Sequence, residues 1–206
     1  MVFSSATFLF VFLPVVLAAY FISAYYSLDV RFRNTVLLLA SLFFYSWGEP
    51  KNVFMMILSI VVNYLFAIIV DSLRGRTMLR RLLLILSIAF NLGLLFYFKY
   101  FDFFIRNANR IFQTQISLRN IALPIGISFF TFQSLSYVVD VWRGKVPVQK
   151  DLLSLGLYIS FFPQLIAGPI VRYADIEAQL SVRECGIDKF HDGCMRFASG
   201  FSKKVL

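Results

Sequence analysis

Charge is scarce in this chain. Only 15% of its 206 residues are charged, while 59% are hydrophobic and 18% aromatic; an ordinary soluble domain is about a quarter charged and about half apolar. A soluble fold could not hide that much apolar surface, so composition alone selects the membrane class. Cysteine occurs only at Cys185 and Cys194, without a His or Cys partner at zinc spacing. That excludes a disulfide framework or a zinc knuckle and leaves two free thiols. His191 is the single histidine; it lies in a polar amphipathic stretch and reads as an ordinary surface or interface residue. No charge occurs from Met1 to Leu28. A cleaved leader would need a basic start and a shorter apolar core, so this stretch reads as a first transmembrane helix that stays. A glycine-rich phosphate cradle, a nucleophile elbow and paired catalytic carboxylates are also missing, as is any internal repeat.

What is present is bulk from rings and a positive balance. Phe occurs 25 times and Tyr 10 times, which suits lipid contact, helix packing and aromatic belts at the membrane interfaces. The formal net charge of +9 is spread in small groups between apolar runs, without the dense stripe that a phosphate backbone favours, so no nucleic-acid partner is expected. The charge reads instead as topology and attraction to anionic headgroups.

A hydrocarbon core of about 30 Å needs about 20 helical residues, with about 17 acceptable. Ala6 to Tyr26, Val53 to Val70 and Leu82 to Phe98 qualify, and the shorter Thr35 to Trp47 borrows length from its flanks. Phe101, Phe104, Ile105, Ala108, Ile111 and Phe112 share one helical face opposite Asp102, Arg106, Asn109, Arg110 and Gln113, which predicts an amphipathic helix lying in the interface. Ile187, Phe190, Cys194, Phe197 and Phe201 recur in the same way. Ile121 to Val139 and Leu152 to Val171 are long enough to span, yet carry breakers: Pro124 and Gly126 in one, Gly156, Pro163, Gly168 and Pro169 in the other. Broken helices at membrane depth are tolerated only inside protein or beside a water-filled cavity. The fold class expected is therefore all-α: a polytopic helical protein with about six membrane segments, some broken or re-entrant, plus interfacial amphipathic helices.

Among the loops that join the first four helices, lysine and arginine gather most between Arg74 and Arg81, which favours an outside N-terminus and a cytoplasmic Arg74 to Arg81 loop. Beyond Lys99 simple alternation fails. Either one of the two broken segments is re-entrant, or the later basic loops are held by protein and escape the rule. Asp140 with Arg143, and Arg172 with Asp175, are spaced for salt bridges at helix ends.

Three stretches carry a family resemblance. The run from Leu123 to Gly144 (LPIGISFFTFQSLSYVVDVWRG) resembles the signature of the membrane-bound O-acyltransferases, in the bacterial branch that O-acetylates alginate or transfers D-alanine. Tyr158 to Tyr173 (YISFFPQLIAGPIVRY) is similar to the same branch at the expected distance downstream. Ser41 to Pro50 (SLFFYSWGEP) resembles its early loop, and Gly200 to Leu206 the start of its next helix.

The resemblance implies that residues 1–206 are the N-terminal part of a single transmembrane domain, with the family's catalytic histidine in a later half and none of its catalytic residues here. It implies a buried general base in a funnel where a cytoplasmic acyl donor, acetyl-CoA or an acyl carrier, meets an extracytoplasmic acceptor, without a bound cofactor or metal. The site implied is bacterial, in the cytoplasmic (inner) membrane, with an exported polysaccharide as acceptor and membrane or periplasmic acetylation proteins as partners. Gln133, Tyr137, Gln164, Pro163 and Pro169 are the candidates for funnel walls, because polar groups and broken backbone at membrane depth face protein or water. A packing reading stands beside it, in which Pro and Gly kink packed helices and Gln cements them. The alternatives in function are D-alanyl transfer to teichoic acid, a noncatalytic assembly subunit, or a transporter built on broken helices.

Overall fold

The computed structural model describes residues 5–26, 28–119, 121–165, 171–183 and 186–205. Regular structure among them is helical throughout. A π-helical turn, Phe8–Phe12, opens α1, Leu13–Tyr25, followed by α2, Val30–Gly48, and α3, Val53–Ser72. Then come α4, Thr77–Leu95, a second π-turn, Phe96–Tyr100, and α5, Phe101–Phe112. The remainder comprises α6, Ile127–Arg143, α7, Leu152–Ser160, α8, Phe162–Leu165, α9, Tyr173–Ser181, and α10, Ile187–Val205.

Phe8–Tyr25, Val53–Ser72 and Thr77–Phe112 are long and apolar enough to cross a bilayer. The chain is a membrane protein. The second apolar stretch is longer than Thr35 to Trp47, because the helix begins at Val30 and runs to Gly48 over 19 residues. Arg31 and Arg33 sit in its first turn, where arginine is a good helix former whose stem can lie along the helix while its head reaches the rim.

Three further expectations are corrected. The segment from Ile121 to Val139 is not a broken helix: α6 runs uninterrupted from Ile127, because Pro124 and Gly126 lie ahead of its first turn and Gly126 is its N-cap. Gly156 breaks nothing either, since it sits inside α7, where the absent side chain lets Leu38 and Ile60 pack close. The amphipathic helix at Phe101 is no separate element, because the π-turn joins it to α4 in one run of 36 residues. At 1.5 Å per residue that run measures about 54 Å and exceeds the hydrocarbon core. No residue of α5 is buried. Its polar face holds the returning loop: the Asp102 carboxylate accepts from the backbone N–H of Arg119 and Ile121, and Asn109 bonds Thr114 and Ile116.

The core forms where α6 packs against α3 and α4, and α7 against α2. Buried amides cross-link it. Asn63 and Asn91, both 0% exposed, exchange side-chain hydrogen bonds between α3 and α4 at 3.2 and 2.8 Å. In lipid an unpaired amide costs several kcal/mol, so the reciprocal pair sets the register of the two helices.

Two arginine and asparagine contacts define one end of the molecule. The Arg80 guanidinium donates to the carbonyls of Val70, Val141 and Trp142, tying the last turns of α3 and α6 to the first turn of α4. Arg80 also stacks on the Trp142 ring. Asn34, in the second turn of α2, donates through Nδ2 to Ser154 Oγ at 3.2 Å and to the Leu180 carbonyl at 2.9 Å. Ser154 opens α7 and Leu180 closes α9, so the segment that departs at α7 comes back to the same turn of α2. Its two arms begin and end together, as a re-entrant hairpin does. The expected Asp140–Arg143 and Arg172–Asp175 salt bridges do not form; Arg31–Asp151, at 3.3 Å, does.

Candidate functional site: a broken hairpin and its cavity

Pro163 explains where the hairpin breaks. Proline lacks the N–H that would bond the Ile159 carbonyl, and its ring clashes with that carbonyl, so a helix cannot run through it. α7 accordingly stops at Ser160, and Phe161 takes φ −54°, ψ 114°. Pro163 itself is the second residue of the short α8, a position that needs no N–H partner.

The groups freed by the break are recovered from other helices. The Phe162 N–H donates to Ser41 Oγ on α2 at 3.3 Å. The Tyr158 carbonyl, which an unbroken helix would pair with Phe162, accepts from Gln133 Nε2 on α6 at 2.7 Å. Gln133 is 2% exposed. An acceptor from α2 and a donor from α6 thus pair the backbone groups that the break frees.

Beyond the break the chain approaches the start of α6. Gly126 has φ +75°, and a Cβ there would lie 3.2 Å from the Leu165 carbonyl oxygen. Both the left-handed backbone and the close approach require glycine. The returning arm is tied back by tyrosines. Tyr158 donates to the Val171 carbonyl at 2.9 Å, and the Tyr173 ring packs edge-on against Tyr137 and Tyr158 at 4.9 and 5.3 Å. Gln149, in the loop before α7, donates its backbone N–H to Tyr137 Oη and its side-chain amide to Tyr173 Oη. All three rings are fully buried.

Between the hairpin and α1 lies a cavity of about 380 Å³, walled by Leu17, Tyr20, Phe21, Leu37, Tyr158 and Ile176 among others, with Gln164, Gln179 and Arg183 as its polar groups. The π-turn and the start of α1 meet α2 and α8 tightly through Phe8, Phe12 and Val16 against Phe44 and Phe162. Farther along, the contact of α1 with the hairpin opens and leaves this space.

The five residues expected as funnel walls part company here. Gln133 and Tyr137 are buried in the seam between α6 and the hairpin, and each already has a hydrogen-bond partner. Gln164 lines the cavity, and its buried Nε2 has no partner. Pro163 is exposed, and Pro169 lies outside the described residues. His191 is on α10 with its side chain 71% exposed, 3.7 Å from Asp192. Cys194 is a free, exposed thiol, while Cys185 lies outside the described residues. Reading the sequence missed Asn34, Asn63, Asn91, Ser41 and Arg80. The criterion that selected Gln133, a polar side chain inside an apolar run, applies equally to the first four.

Buried polar cross-links around a proline-broken hairpin, beside three helices long and apolar enough to cross a bilayer, define the chain as an all-α membrane protein. No family model matches the chain, and no solved structure matches it. Curated relatives do. It is 41% identical over 210 residues to the "probable alginate O-acetylase AlgI" of Pseudomonas aeruginosa, covering 100% of this chain and 39% of that protein. The protein of the same name from Azotobacter vinelandii is 39% identical over 210 residues, with 100% of this chain and 41% of that protein covered. The "peptidoglycan O-acetyltransferase" of Helicobacter pylori is 33% identical over 233 residues, covering 100% of this chain and 44% of that protein. Along its whole length the chain is similar to proteins named as alginate O-acetylases, and it spans about two fifths of the length of the curated relatives it matches.

Proposed function

We propose that this chain forms part of a membrane-bound O-acyltransferase that moves an acetyl group onto hydroxyls of an exported polysaccharide. The observation that carries the reading is identity of 41% over the whole chain to a protein named for alginate O-acetylation. The peptidoglycan relative, at 33%, supports the same chemistry on another extracytoplasmic polymer.

In this reading the protein is a multi-pass component of the bacterial inner membrane. The end carrying Arg80 and both arms of the hairpin faces the cytoplasm, because it gathers Arg31, Arg33, Arg74, Arg76 and Arg183, and basic residues stay on that side. The donor, acetyl-CoA or an acyl carrier, comes from there, and membrane or periplasmic acetylation proteins receive or present the polymer. The acceptor oxygen forms the new ester bond to the acyl carbon as the thioester C–S bond breaks, with the hydroxyl proton taken by a base and returned to the leaving thiolate. The family resemblance assigns that base to a histidine outside these 206 residues, and His191, 71% exposed, does not fit a buried base.

The residues here contribute walls and shape. Gln133 and Tyr137 hold the break and the returning arm, while Gln164, whose amide donor is uncommitted within the protein, is the group available to a substrate carbonyl. Positioning of this kind can contribute about 7–11 kcal/mol to a bimolecular reaction.

The test is a chimera in which these 206 residues replace the matching region of the Pseudomonas aeruginosa relative, expressed in cells lacking that relative. O-acetyl content of the exported polymer should be restored to within a few-fold. Gln164→Leu should lower it by about tenfold or more at unchanged protein level, whereas His191→Ala should leave it within a few-fold. A stable, membrane-inserted chimera that leaves the polymer unacetylated contradicts the proposal.

A further inference from the structure

We infer that the space between α1 and the hairpin is a binding site for one anionic phospholipid, a single acyl chain lying in the cavity with its phosphate held at the basic end. The argument starts from shape. The π-turn ahead of α1 is closed against α2 and α8 by the rings of Phe8, Phe12, Phe44 and Phe162, but α1 from Val16 onward leaves a gap before α9, and this gap of about 380 Å³ falls within the size range of ligand sites. Its walls are Leu17, Phe21, Leu37, Leu157 and Ile176, aliphatic and aromatic surface that excludes water and suits a hydrocarbon chain.

Charge then selects the headgroup. Arg183 lines the cavity just past the end of α9. Its Nε donates to the Gln179 carbonyl at 2.6 Å and its guanidinium lies 6.0 Å from the Tyr20 ring centroid, so the group is oriented, while its terminal nitrogens have no carboxylate partner among the described residues. Arg33 stands one helical turn from Leu37 on the same face of α2, toward the basic end, and its buried Nε has no hydrogen-bond partner. The Arg183 guanidinium in the cavity lining, with Arg33 one turn beyond the lining residue Leu37, is complementary to a phosphate diester, and a zwitterionic headgroup would place an ammonium beside it. Gln164 lines the same cavity, but lipid retention is read without any acyl transfer, so failure of the acyltransferase reading leaves the inference standing.

The experiment uses the whole chain, solubilised from membranes and incubated with an equimolar mixture of phosphatidylglycerol and phosphatidylethanolamine. After re-isolation the retained lipids are counted by native mass spectrometry. One phosphatidylglycerol per protein should be retained, at least about fivefold over phosphatidylethanolamine, since each basic residue near an anionic lipid contributes about that factor. Arg183→Gln and Arg33→Gln should each lower retention about fivefold, and Arg183→Lys should keep it within about twofold. Filling the cavity from either wall, with Leu17→Trp or Ile176→Trp, should abolish retention while helix content by circular dichroism is unchanged. Equal retention of the two lipids overturns the inference, and so does a filled variant with unchanged helix content that keeps its lipid. Loss on filling without any effect of Arg183→Gln or Arg33→Gln also overturns it, because the occupant is then an uncharged chain.

Discussion

α6 and the α7–α8 segment carry the same helix-breaking residue types, yet one is an unbroken helix and the other is interrupted after Ser160. The difference is one of position. Pro124 and Gly126 fall before the first turn of α6, where a missing N–H costs nothing and a left-handed glycine can begin the helix. Pro163 falls where α7 would otherwise continue, so its missing N–H and its ring end the helix. A breaker's consequence thus depends on whether the preceding residues are already helical. In a membrane the second case also needs outside partners for the freed backbone groups: Gln133 donates to the Tyr158 carbonyl and Ser41 Oγ accepts from the Phe162 N–H.

That contrast ranks substitutions. Gln133→Leu removes the donor to the Tyr158 carbonyl without touching the fold of α6, and leaves a buried acceptor unpaired. It should cost about 1–3 kcal/mol in unfolding measured in detergent, the largest effect in this set. Gly126→Ala forces a Cβ into the left-handed region and against the Leu165 carbonyl at 3.2 Å, and should cost about 1–2 kcal/mol. Gly156→Ala is the opposite case. Its Cβ would meet Leu38 at 3.5 Å, an ordinary contact, and alanine is favoured in a helix by up to about 1 kcal/mol, so the variant should be as stable as the parent or slightly more so. If Gly126→Ala proves neutral while Gly156→Ala is strongly destabilising, the assignment of the breaks is reversed.

Hydrophobic runs found the helices of this protein well, because length and apolarity are local properties. α1, α3 and α4 follow from them directly. The interfacial reading of α5 captured its two faces and missed its continuity with α4, because the π-turn at Phe96–Tyr100 has no breaker to mark it. That α7 starts and α9 ends at the same turn of α2 could not be read from sequence, since the contact of Asn34 with Ser154 and Leu180 joins residues 120 and 146 positions apart. At the candidate site, Gln133, Tyr137 and Gln164 stood out as polar groups in apolar runs. Which of them holds the backbone and which is left with a free donor depends on partners from distant helices. Arg80 was read only as a topological charge, because nothing in its neighbourhood announces that two helix ends converge on it.

The central claim is that residues 152–180 enter and leave at the same end of the protein. It is tested most directly by cysteine accessibility in intact cells, after replacing Cys185 and Cys194 with alanine. Single cysteines at Lys150→Cys and Ser181→Cys flank the two arms, with Gly75→Cys marking the α3–α4 turn at the basic end. All three should resist a membrane-impermeant thiol reagent applied from outside and react once the cells are permeabilised. Labelling from outside at only one of positions 150 and 181 would mean that the segment crosses the membrane, and would contradict the account.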